Sequence, residues 1–307
     1  MTKLLAIVGP TCSSKSEIGL IVATHLKGEI VSADSRQVYT QLDIGTSKPS
    51  IEDRKKVPHH FVDVLDPEKE YSAGLFGNEA RTRIEEIARR GMQPILVGGS
   101  GLYIKAVIDG FFEGPGKDPE LRDELEARLK IEGSETLLKD LQRVDPASAS
   151  VMDITKSRRI IRALEVYYVT GQPLSTHHEE QLRSTWMECV QFGIEWTRAE
   201  LYRRINSRVD TMLSQGLVEE VRQLRSHGYR RTLNSLNSLG YKEVFDFLEN
   251  NSSYDEMVEL IKRNTRRFAK RQLTWFRSDK RIVWIRAGES TSLEQLAQEI
   301  ERGTKLE

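Results

Sequence analysis

The order of apolar and polar positions predicts strands that alternate with helices along the N-terminal part of the chain. Short apolar runs typical of strands occur at Leu4–Val8, Glu29–Ala33, His60–Val64, Pro94–Val97, Val190–Ile194 and Ile282–Ile285. Stretches with helical character, such as Ser16–Leu26 and Ala73–Arg90, separate the first four runs. This alternation indicates βαβ units, and therefore an α/β fold with a parallel sheet covered on both faces. Ligands of such sheets bind beyond the carboxyl ends of the strands, so the residues that follow each strand are candidate site residues.

The pattern becomes purely helical between residues 113 and 187. A turn-rich segment, Phe111–Pro119, precedes this region, and helices are predicted at Glu120–Leu141 and Ser157–Val169. We therefore expect a helical insertion domain, residues 113–187, within an α/β core formed by residues 1–112 and 188–307. The C-terminal part of the core is expected to contain helices at Arg198–His227, Ser238–Glu249 and Tyr254–Arg277.

Composition is that of an ordinary globular protein. The 307 residues are 38% hydrophobic and 30% charged, and the formal net charge is zero. No apolar run reaches the length of about 18 residues that a membrane span requires, so no membrane association is expected. The two cysteines, Cys12 and Cys189, lack the spacing of a metal site and favour a reducing cytoplasm.

The first strand is followed by a candidate phosphate-binding loop that opens a helix. The loop reads Gly9-Pro10-Thr11-Cys12-Ser13-Ser14-Lys15-Ser16. In a P-loop the backbone N–H groups surround a diphosphate, the lysine neutralises it and the following hydroxyl holds Mg²⁺; these last two roles fall to Lys15 and Ser16. The motif usually has glycine where this chain has Ser14, and a positive φ there would cost serine about 1–2 kcal/mol. A polar turn with an incidental lysine is the alternative.

The segments around and beyond this loop resemble the tRNA dimethylallyltransferase (tRNA isopentenyltransferase) family. The likeness is carried in order by Val31–Tyr39, Asp43–Pro49, Pro58–His60, Asp63–Pro67, Val97–Tyr103, Arg162–Val166, Arg204–Asp210, Gly240–Glu243 and Ala269–Trp275. It covers nearly the whole chain. This chain departs from the family at Cys12, where alanine is usual, at Ser14, where glycine is usual, and at Ser100, where threonine is usual.

The resemblance implies a P-loop NTPase-like three-layer core and a specific reaction. A dimethylallyl group would pass from its diphosphate to the exocyclic amine of the adenosine next to the third anticodon base, in tRNAs that read codons beginning with U. In the family pattern Asp34 takes the proton from the amine, Arg208 stabilises the departing diphosphate, and Ser100 lies near the reacting centre. On physical grounds alone, Asp34 could instead be a Walker-B-like aspartate that positions Mg²⁺.

A tRNA anticodon arm is the expected partner, with its target base flipped out of the stack. By resemblance, the RNA-contacting residues are Asp34, Ser35, Arg36, Gln37, Ser100, Arg122, Arg158, Arg159, Ile160, Ile161 and Arg162. Between Lys262 and Arg286 there are ten basic residues and one acidic residue. Much of this charge, including Lys270 and Arg271, recurs at near-helical spacing and suits contact with RNA, although a solvated helix face is the alternative.

Other groups and other functions remain open at this point. His59-His60 is expected to form ordinary hydrogen bonds, and Glu219-Glu220 is expected on a solvated helix face. A P-loop kinase or NTPase that acts on a small molecule, a transferase that prenylates free AMP or ADP, and a non-catalytic RNA-binding module are the competing functions. The chain is expected to act as a monomer.

Overall fold

The computed structural model describes residues 3–110, 118–177 and 186–305. These residues form two compact units: Met1–Ile108 together with Met187–Glu307, and Asp109–Trp186. The start of the insertion predicted at residue 113 lies outside the described residues. Within the described part of the chain, no helix combines the length and the apolar character that a membrane span requires.

The first unit is built on a sheet of six parallel strands. The strands are β1 Leu4–Val8, β2 Gly28–Ala33, β3 His59–His60, β4 Gln93–Gly98, β5 Cys189–Glu195 and β6 Ile282–Arg286, and their order is β3-β2-β4-β1-β5-β6. Val8 pairs with both Gly98 and Gly193, and Ala33 also pairs with Gly98. The carboxyl ends of β2, β4, β1 and β5 therefore lie side by side, which brings the loops after them together.

Strand β3 is much shorter than the predicted strand at His60–Val64. It ends at His60, because Phe61 and Asp63 have φ of 63° and 56°, which is incompatible with extended pairing. Both histidines form the ordinary hydrogen bonds expected of them: His60 Nε2 lies 2.7 Å from Glu29 Oε2, and His59 Nδ1 lies 2.8 Å from the carbonyl oxygen of Val57.

The helices of the first unit mostly match the predicted segments. They are α1 Lys15–His25, α2 Ile51–Lys56, α3 Ala73–Arg89, α4 Gly101–Ile108, α8 Arg198–Ser214, α9 Leu217–Ser226, α10 Tyr241–Leu248, α11 Tyr254–Ser278 and α12 Leu293–Lys305; α5, α6 and α7 belong to the second unit. The single helix predicted at Arg198–His227 is two helices, because Gly216 at φ 100° interrupts it. The helix predicted from Ser238 begins only after Gly240, which has φ 87°.

Helices cover both faces of the sheet. On one face, Ile7 and Val97 pack with Ile18 of α1 and Ile300 of α12 in one buried cluster. Successive residues of a strand point to opposite faces, so the alternate residues of β2 and β4 are available to α3, which lies against both strands and has buried residues such as Phe76. The result is the three-layer α/β architecture that the sequence predicts.

The described residues of the second unit, 109–110, 118–177 and 186, contain helices and no strand. Helix α5 spans Pro119–Val144 and is kinked at Gly133, which has φ 80°; α6 spans Pro146–Val151 and α7 spans Ser157–Thr170. Its core contains Leu125, Leu137, Leu141, Ile160, Ile161 and Leu164. The buried Asp145 carboxylate accepts hydrogen bonds from the N–H of Ser148 and the hydroxyl of Ser175, and thereby ties α6 to the segment after α7.

Candidate active site

The loop between β1 and α1 has the tight curvature that a phosphate-binding loop needs. Cys12 and Ser14 both adopt left-handed conformations, with φ of 63° and 65°. Lys15 is the first residue of α1, and its Nζ donates a hydrogen bond of 3.2 Å to the carbonyl oxygen of Pro10. Burial lowers the pKa of Lys15, and the nearby Asp34 carboxylate opposes that shift. The lysine ammonium and the aspartate thus lie within electrostatic reach of each other.

Two side chains from beyond β5 contact the back of this loop. The Nε of Arg204 donates to the carbonyl oxygen of Cys12 at 3.0 Å, and its Nη2 donates to the hydroxyl of Ser14. The indole N–H of the buried Trp196 donates to the carbonyl oxygen of Ser13 at 3.1 Å. Arg204 also stacks on the Trp196 ring, with Cζ 4.3 Å from the ring centroid.

Arg208 and Gln272 contact the same loop near Thr11. Arg208 lies one helical turn after Arg204 on α8, and its Nη1 donates to Thr11 Oγ1 at 2.9 Å. Gln272 is buried on α11; its Oε1 accepts the N–H of Thr11 at 2.9 Å, and its Nε2 donates to the carbonyl oxygen of Gly99 at 2.8 Å. Gln272 therefore joins the loops that follow β1 and β4.

Asp34 and Ser100 lie where β2 and β4 end side by side. Asp34 Oδ1 accepts the backbone N–H groups of Arg36 and Gln37 at 2.9 and 3.4 Å. Among the described residues, no hydrogen bond reaches Asp34 Oδ2. Ser100 Oγ accepts the N–H of Ser35 at 3.0 Å, and the N–H of Ser100 binds the carbonyl oxygen of Ala33 at 3.2 Å. These bonds fix the aspartate while leaving one of its oxygens for a substrate.

A cavity of about 1630 Å³ opens at this edge of the sheet. The predicted site residues that line it are Thr11, Cys12, Ser14, Lys15, Ser16, Asp34, Ser35, Arg36, Gln37, Ser100, Arg208 and Arg271. The structure thus brings the lysine of the phosphate loop, a carboxylate, a hydroxyl and an arginine into one cavity within the first unit. Such a set can bind an anionic group and accept a proton beside it.

The wall of the cavity beyond Asp34 is held by Glu220, and this corrects the expectation of a solvated glutamate. Glu220 Oε2 accepts the N–H groups of Asp43 and Ile44 at 3.0 and 2.7 Å, and Oε1 accepts the N–H of Gly45 at 3.2 Å. The hydroxyl of the buried Tyr241 donates to Glu220 at 2.6 Å. Only Glu219, which is paired with Arg222, lies on an exposed face.

Gln37 is buried, and its side chain connects β2 to this same wall. Its Oε1 accepts the hydroxyl of Ser32, while its Nε2 donates to the carbonyl oxygens of Thr46 and Ser47 at 3.2 and 3.1 Å. The predicted RNA-contacting side chain is therefore engaged inside the protein. Glu220 binds the backbone of residues 43–45, and the Gln37 side chain binds the backbone of residues 46–47. The backbone N–H of Gln37 in turn binds Asp34, so the 43–47 segment connects Glu220 to the residue that orients Asp34.

Comparison with known proteins decides the family. A family model described as IPP transferase matches residues 37–279. The chain belongs to the IPP transferase family. Its curated relatives include the tRNA dimethylallyltransferase of Pelotomaculum thermopropionicum, 45% identical over 98% of this chain and 96% of the relative. Another is the tRNA dimethylallyltransferase of Carboxydothermus hydrogenoformans, 47% identical over 97% of this chain and 96% of the relative.

Solved structures of IPP transferases share the fold. The tRNA isopentenylpyrophosphate transferase of Bacillus halodurans matches with a TM-score of 0.72 and 38% identity, covering 100% of this chain and 99% of that one. A eukaryotic dimethylallyltransferase acting on tRNA matches with a TM-score of 0.83 and 26% identity, covering 97% of this chain and 77% of that one. These comparisons confirm the predicted family, the P-loop-like α/β fold and the enzyme class, a prenyltransferase.

The RNA-contacting residues expected in the helical unit of this IPP transferase have different environments. Arg158 and Arg159 are exposed at the start of α7. Ile160 and Ile161 are 0% and 4% exposed within the core, so their side chains are not available to RNA. Arg122 and Arg162 are expected from the resemblance to contact RNA, but their guanidinium groups both bind the buried Glu165, at 2.6 and 2.9 Å.

The basic stripe predicted near the C-terminus lies on α11. Lys270 and Arg271 are both exposed there, and Arg271 also lines the cavity. Several other basic residues of α11 are paired, as in the ion pair of Lys262 with Asp210 at 2.7 Å.

The sequence pattern indicated no role for Arg204, Trp196 or Gln272. The one available signal was the spacing of Arg204, which precedes Arg208 by one helical turn.

Proposed function

We propose that this IPP transferase is a tRNA dimethylallyltransferase that uses dimethylallyl diphosphate as its donor. The observation that carries the proposal is that Lys15, Asp34, Ser100 and Arg208 line one cavity at the carboxyl edge of the sheet. The adenosine next to the third anticodon base, in tRNAs that read codons beginning with U, is the proposed acceptor. The names of the curated relatives, at 45–47% identity over nearly the whole chain, support this choice.

The diphosphate of the donor would bind in the loop between β1 and α1. Lys15 and the loop amides supply positive charge and N–H donors, and the α1 N-terminus adds a favourable partial charge. Arg208 reaches the same loop through Thr11. As the bond between the allylic carbon and the diphosphate oxygen breaks, negative charge grows on the diphosphate, and these groups stabilise it.

The residues of the cavity fit a magnesium ion. Ser16 offers a hydroxyl oxygen in this cavity, a ligand type that suits a hard cation. Among the described residues, no cluster of three histidine, cysteine or acidic side chains is present, so the remaining ligands would be diphosphate oxygens and water. When bound, Mg²⁺ supplies charge neutralisation for the diphosphate.

Asp34 is the proposed general base. The acceptor amine forms a bond to the allylic carbon, the diphosphate leaves, and the amine gives up one proton. Asp34 Oδ1 is held by two backbone N–H groups, so Oδ2 is the oxygen that can take this proton. Ser100 Oγ accepts the Ser35 N–H and donates to Ser35 Oγ at 3.3 Å, so Ser100 fixes the residue that follows Asp34 beside the substrate.

The proposed RNA contacts are the exposed bases of both units. Arg158 and Arg159 of α7 and Lys270 and Arg271 of α11 are suited to bind phosphate oxygens, since their side chains are exposed. We further propose that the chain acts as a monomer in the cytoplasm. Among the described residues, Cys12 and Cys189 form no disulfide, as suits that reducing compartment.

Label transfer from dimethylallyl diphosphate tests the proposal. The protein is incubated with Mg²⁺, labelled donor and either an anticodon stem-loop or AMP. Label should enter the RNA alone, and Asp34→Asn should reduce the rate about 100-fold or more, because a positioned base contributes about 10²–10⁴-fold. Asp255→Asn, an exposed aspartate at the start of α11, is the matched control and should behave as the unmodified protein.

Three other outcomes would contradict parts of the proposal. Label on AMP but not on RNA would identify a transferase for free nucleotides. ATP hydrolysis without RNA, with no label transfer, would identify a kinase or NTPase. Recovery of the Asp34→Asn rate at high Mg²⁺ concentration would assign Asp34 to metal positioning rather than to proton transfer.

A further inference from the structure

One arginine and one tryptophan hold the phosphate loop from the side opposite its amides, and the proposed reaction uses neither. Arg204 binds the carbonyl oxygen of Cys12 and the hydroxyl of Ser14, and Trp196 binds the carbonyl oxygen of Ser13. Two successive peptide carbonyls and one side chain of the loop are thus bound by a single stacked pair. The pair comes from the end of β5 and from α8.

These contacts orient the peptide N–H groups of the loop. In a planar trans peptide the C=O and the N–H point in opposite directions. Arg204, bound to the carbonyl of Cys12, therefore directs the N–H of Ser13 away from itself, and Trp196 does the same to the N–H of Ser14. Within the described part of the chain, neither of these N–H groups donates a hydrogen bond. Ser14 lines the cavity, so its N–H can meet an anion there, whereas Ser13 is fully buried and is not among the lining residues.

Ser14 gives Arg204 a second role. Serine is less stable in the left-handed conformation than in the right-handed region, whereas glycine has no such penalty. The Ser14 hydroxyl accepts a hydrogen bond from Arg204, which stabilises the left-handed residue in place. The guanidinium achieves this because its fixed fork reaches the hydroxyl and the Cys12 carbonyl together while its face stacks on Trp196.

Arg204 and Arg208 lie on successive turns of α8 and have different roles. Arg208 contacts the Thr11 hydroxyl and lies beside the proposed diphosphate. Arg204 contacts carbonyl oxygens, which are oriented opposite to the N–H groups that bind anions. A lysine at residue 204 would keep the positive charge but lose both the fork and the stacking.

We propose that Arg204, stacked on Trp196, is a positioning residue that holds the phosphate loop with the Ser14 amide ready for the donor diphosphate and stabilises serine where the loop would otherwise take glycine. This inference rests on the proposed function, because it assumes that the loop binds the diphosphate of a prenyl donor. It concerns donor binding only. Recognition of RNA and proton transfer by Asp34 should not depend on Arg204.

Arg204→Lys and Trp196→Phe test the inference directly. Calorimetry with inorganic diphosphate and steady-state KM values for donor and stem-loop RNA are the readouts. Arg204→Lys should weaken diphosphate binding and raise the donor KM about 10-fold or more, with the RNA KM within about twofold, since charge-assisted hydrogen bonds are lost. Trp196→Phe, which keeps a stacking ring but loses the indole N–H, should act in the same direction to a smaller extent.

Arg198→Lys is the matched control. Arg198 stacks on Tyr202 of the same helix, with Cζ 5.2 Å from the ring centroid, and within the described residues it forms no hydrogen bond to the loop. It should leave diphosphate binding unchanged. If Arg204→Lys binds diphosphate as tightly as the unmodified protein does, the inference is wrong. Equal increases in the KM for donor and for RNA would also overturn it, since they indicate a general structural loss.

Ser14→Gly tests the link between Arg204 and the unusual serine. Glycine removes both the strained side chain and one of the two Arg204 hydrogen bonds, so Arg204→Lys should cost less donor affinity in the Ser14→Gly background. An identical cost in both backgrounds would overturn the stabilising role of the Ser14 contact. Diphosphate binding without RNA prenylation in the unmodified protein would reject the proposed function, and Arg204 could still be judged from the binding data.

Discussion

Gln272 shows how one buried amide connects two loops of the site. Its Oε1 accepts the Thr11 N–H of the phosphate loop, and its Nε2 donates to the Gly99 carbonyl. An amide is the side chain that can satisfy both groups, since it carries an acceptor and a donor side by side. A carboxylate of the same shape would face the Gly99 carbonyl without a proton and would add negative charge beside the diphosphate.

Gln272→Glu is therefore expected to raise the KM for dimethylallyl diphosphate about 10-fold or more, because a buried hydrogen bond is lost and the new charge repels the donor. The KM for the stem-loop RNA should change much less. Steady-state kinetics with each substrate varied in turn would measure both. Gln223→Glu, the same change at an exposed position of α9, should alter neither value. Unchanged donor KM in Gln272→Glu would show that Gln272 does not shape the donor site.

Lys15 predicts how donor binding depends on pH. Burial lowers the pKa of this lysine from its ordinary value of 10.5, with opposition from Asp34, so Lys15 loses its proton at a lower pH than an ordinary lysine does. Donor affinity should accordingly fall as the pH rises through this lowered pKa. Lys15→Arg keeps its charge at every accessible pH, so its affinity should be flat over the same range. Parallel pH profiles for the two proteins would exclude Lys15 as the titrating group.

At the scale of elements, Glu220 connects α9 to the segment that forms one wall of the cavity. Its carboxylate accepts three consecutive backbone N–H groups, those of Asp43, Ile44 and Gly45, and the Tyr241 hydroxyl. Removal of the carboxylate leaves these donors without an acceptor in a partly buried place. Glu220→Ala should therefore lower the free energy of unfolding by about 2 kcal/mol or more.

Chemical denaturation would measure that loss, and the neighbouring glutamate is the control. Glu219 lies on the exposed face of the same helix and pairs only with Arg222 three residues on. Glu219→Ala should change the free energy of unfolding by no more than about 0.5 kcal/mol. If the two substitutions had similar effects, Glu220 would have no such stabilising role and would behave as the solvated residue that its sequence pattern predicts.

The sequence predicted the elements better than their contacts. The strand pattern and the parallel order imply that the residues after β1, β2 and β4 meet, and Lys15, Asp34 and Ser100 do line one cavity. The role of Glu220 could not be predicted, because adjacent glutamates on an amphipathic helix look alike until the partner segment is placed. The length of strand β3 was overestimated, because Phe61 and Asp63 have positive φ although neither is a glycine. The apolar pattern of the sequence does not indicate this conformation.

At the scale of the whole molecule, both units contain buried carboxylates held in the charged form. Burial acts to raise the pKa of Glu29, but hydrogen bonds from Arg90 and His60 outweigh it, and the pKa is lowered. In the second unit, the Ser148 and Ser175 donors likewise outweigh burial and lower the pKa of Asp145. The same balance, with Arg162 and Arg122 as donors, lowers the pKa of Glu165.

These shifts predict acid-sensitive stability in both units. A carboxylate whose pKa is lower in the folded chain stabilises the fold above its unfolded pKa of about 4, and that contribution is lost as the pH falls through the folded pKa. The thermal midpoint should therefore fall steeply as the solution becomes more acidic than about pH 4. Asp145→Asn should have a lower midpoint at neutral pH and a smaller further fall in acid, because it has no charge to lose. A midpoint that fell equally with pH in both proteins would show that Asp145 is not among the groups responsible.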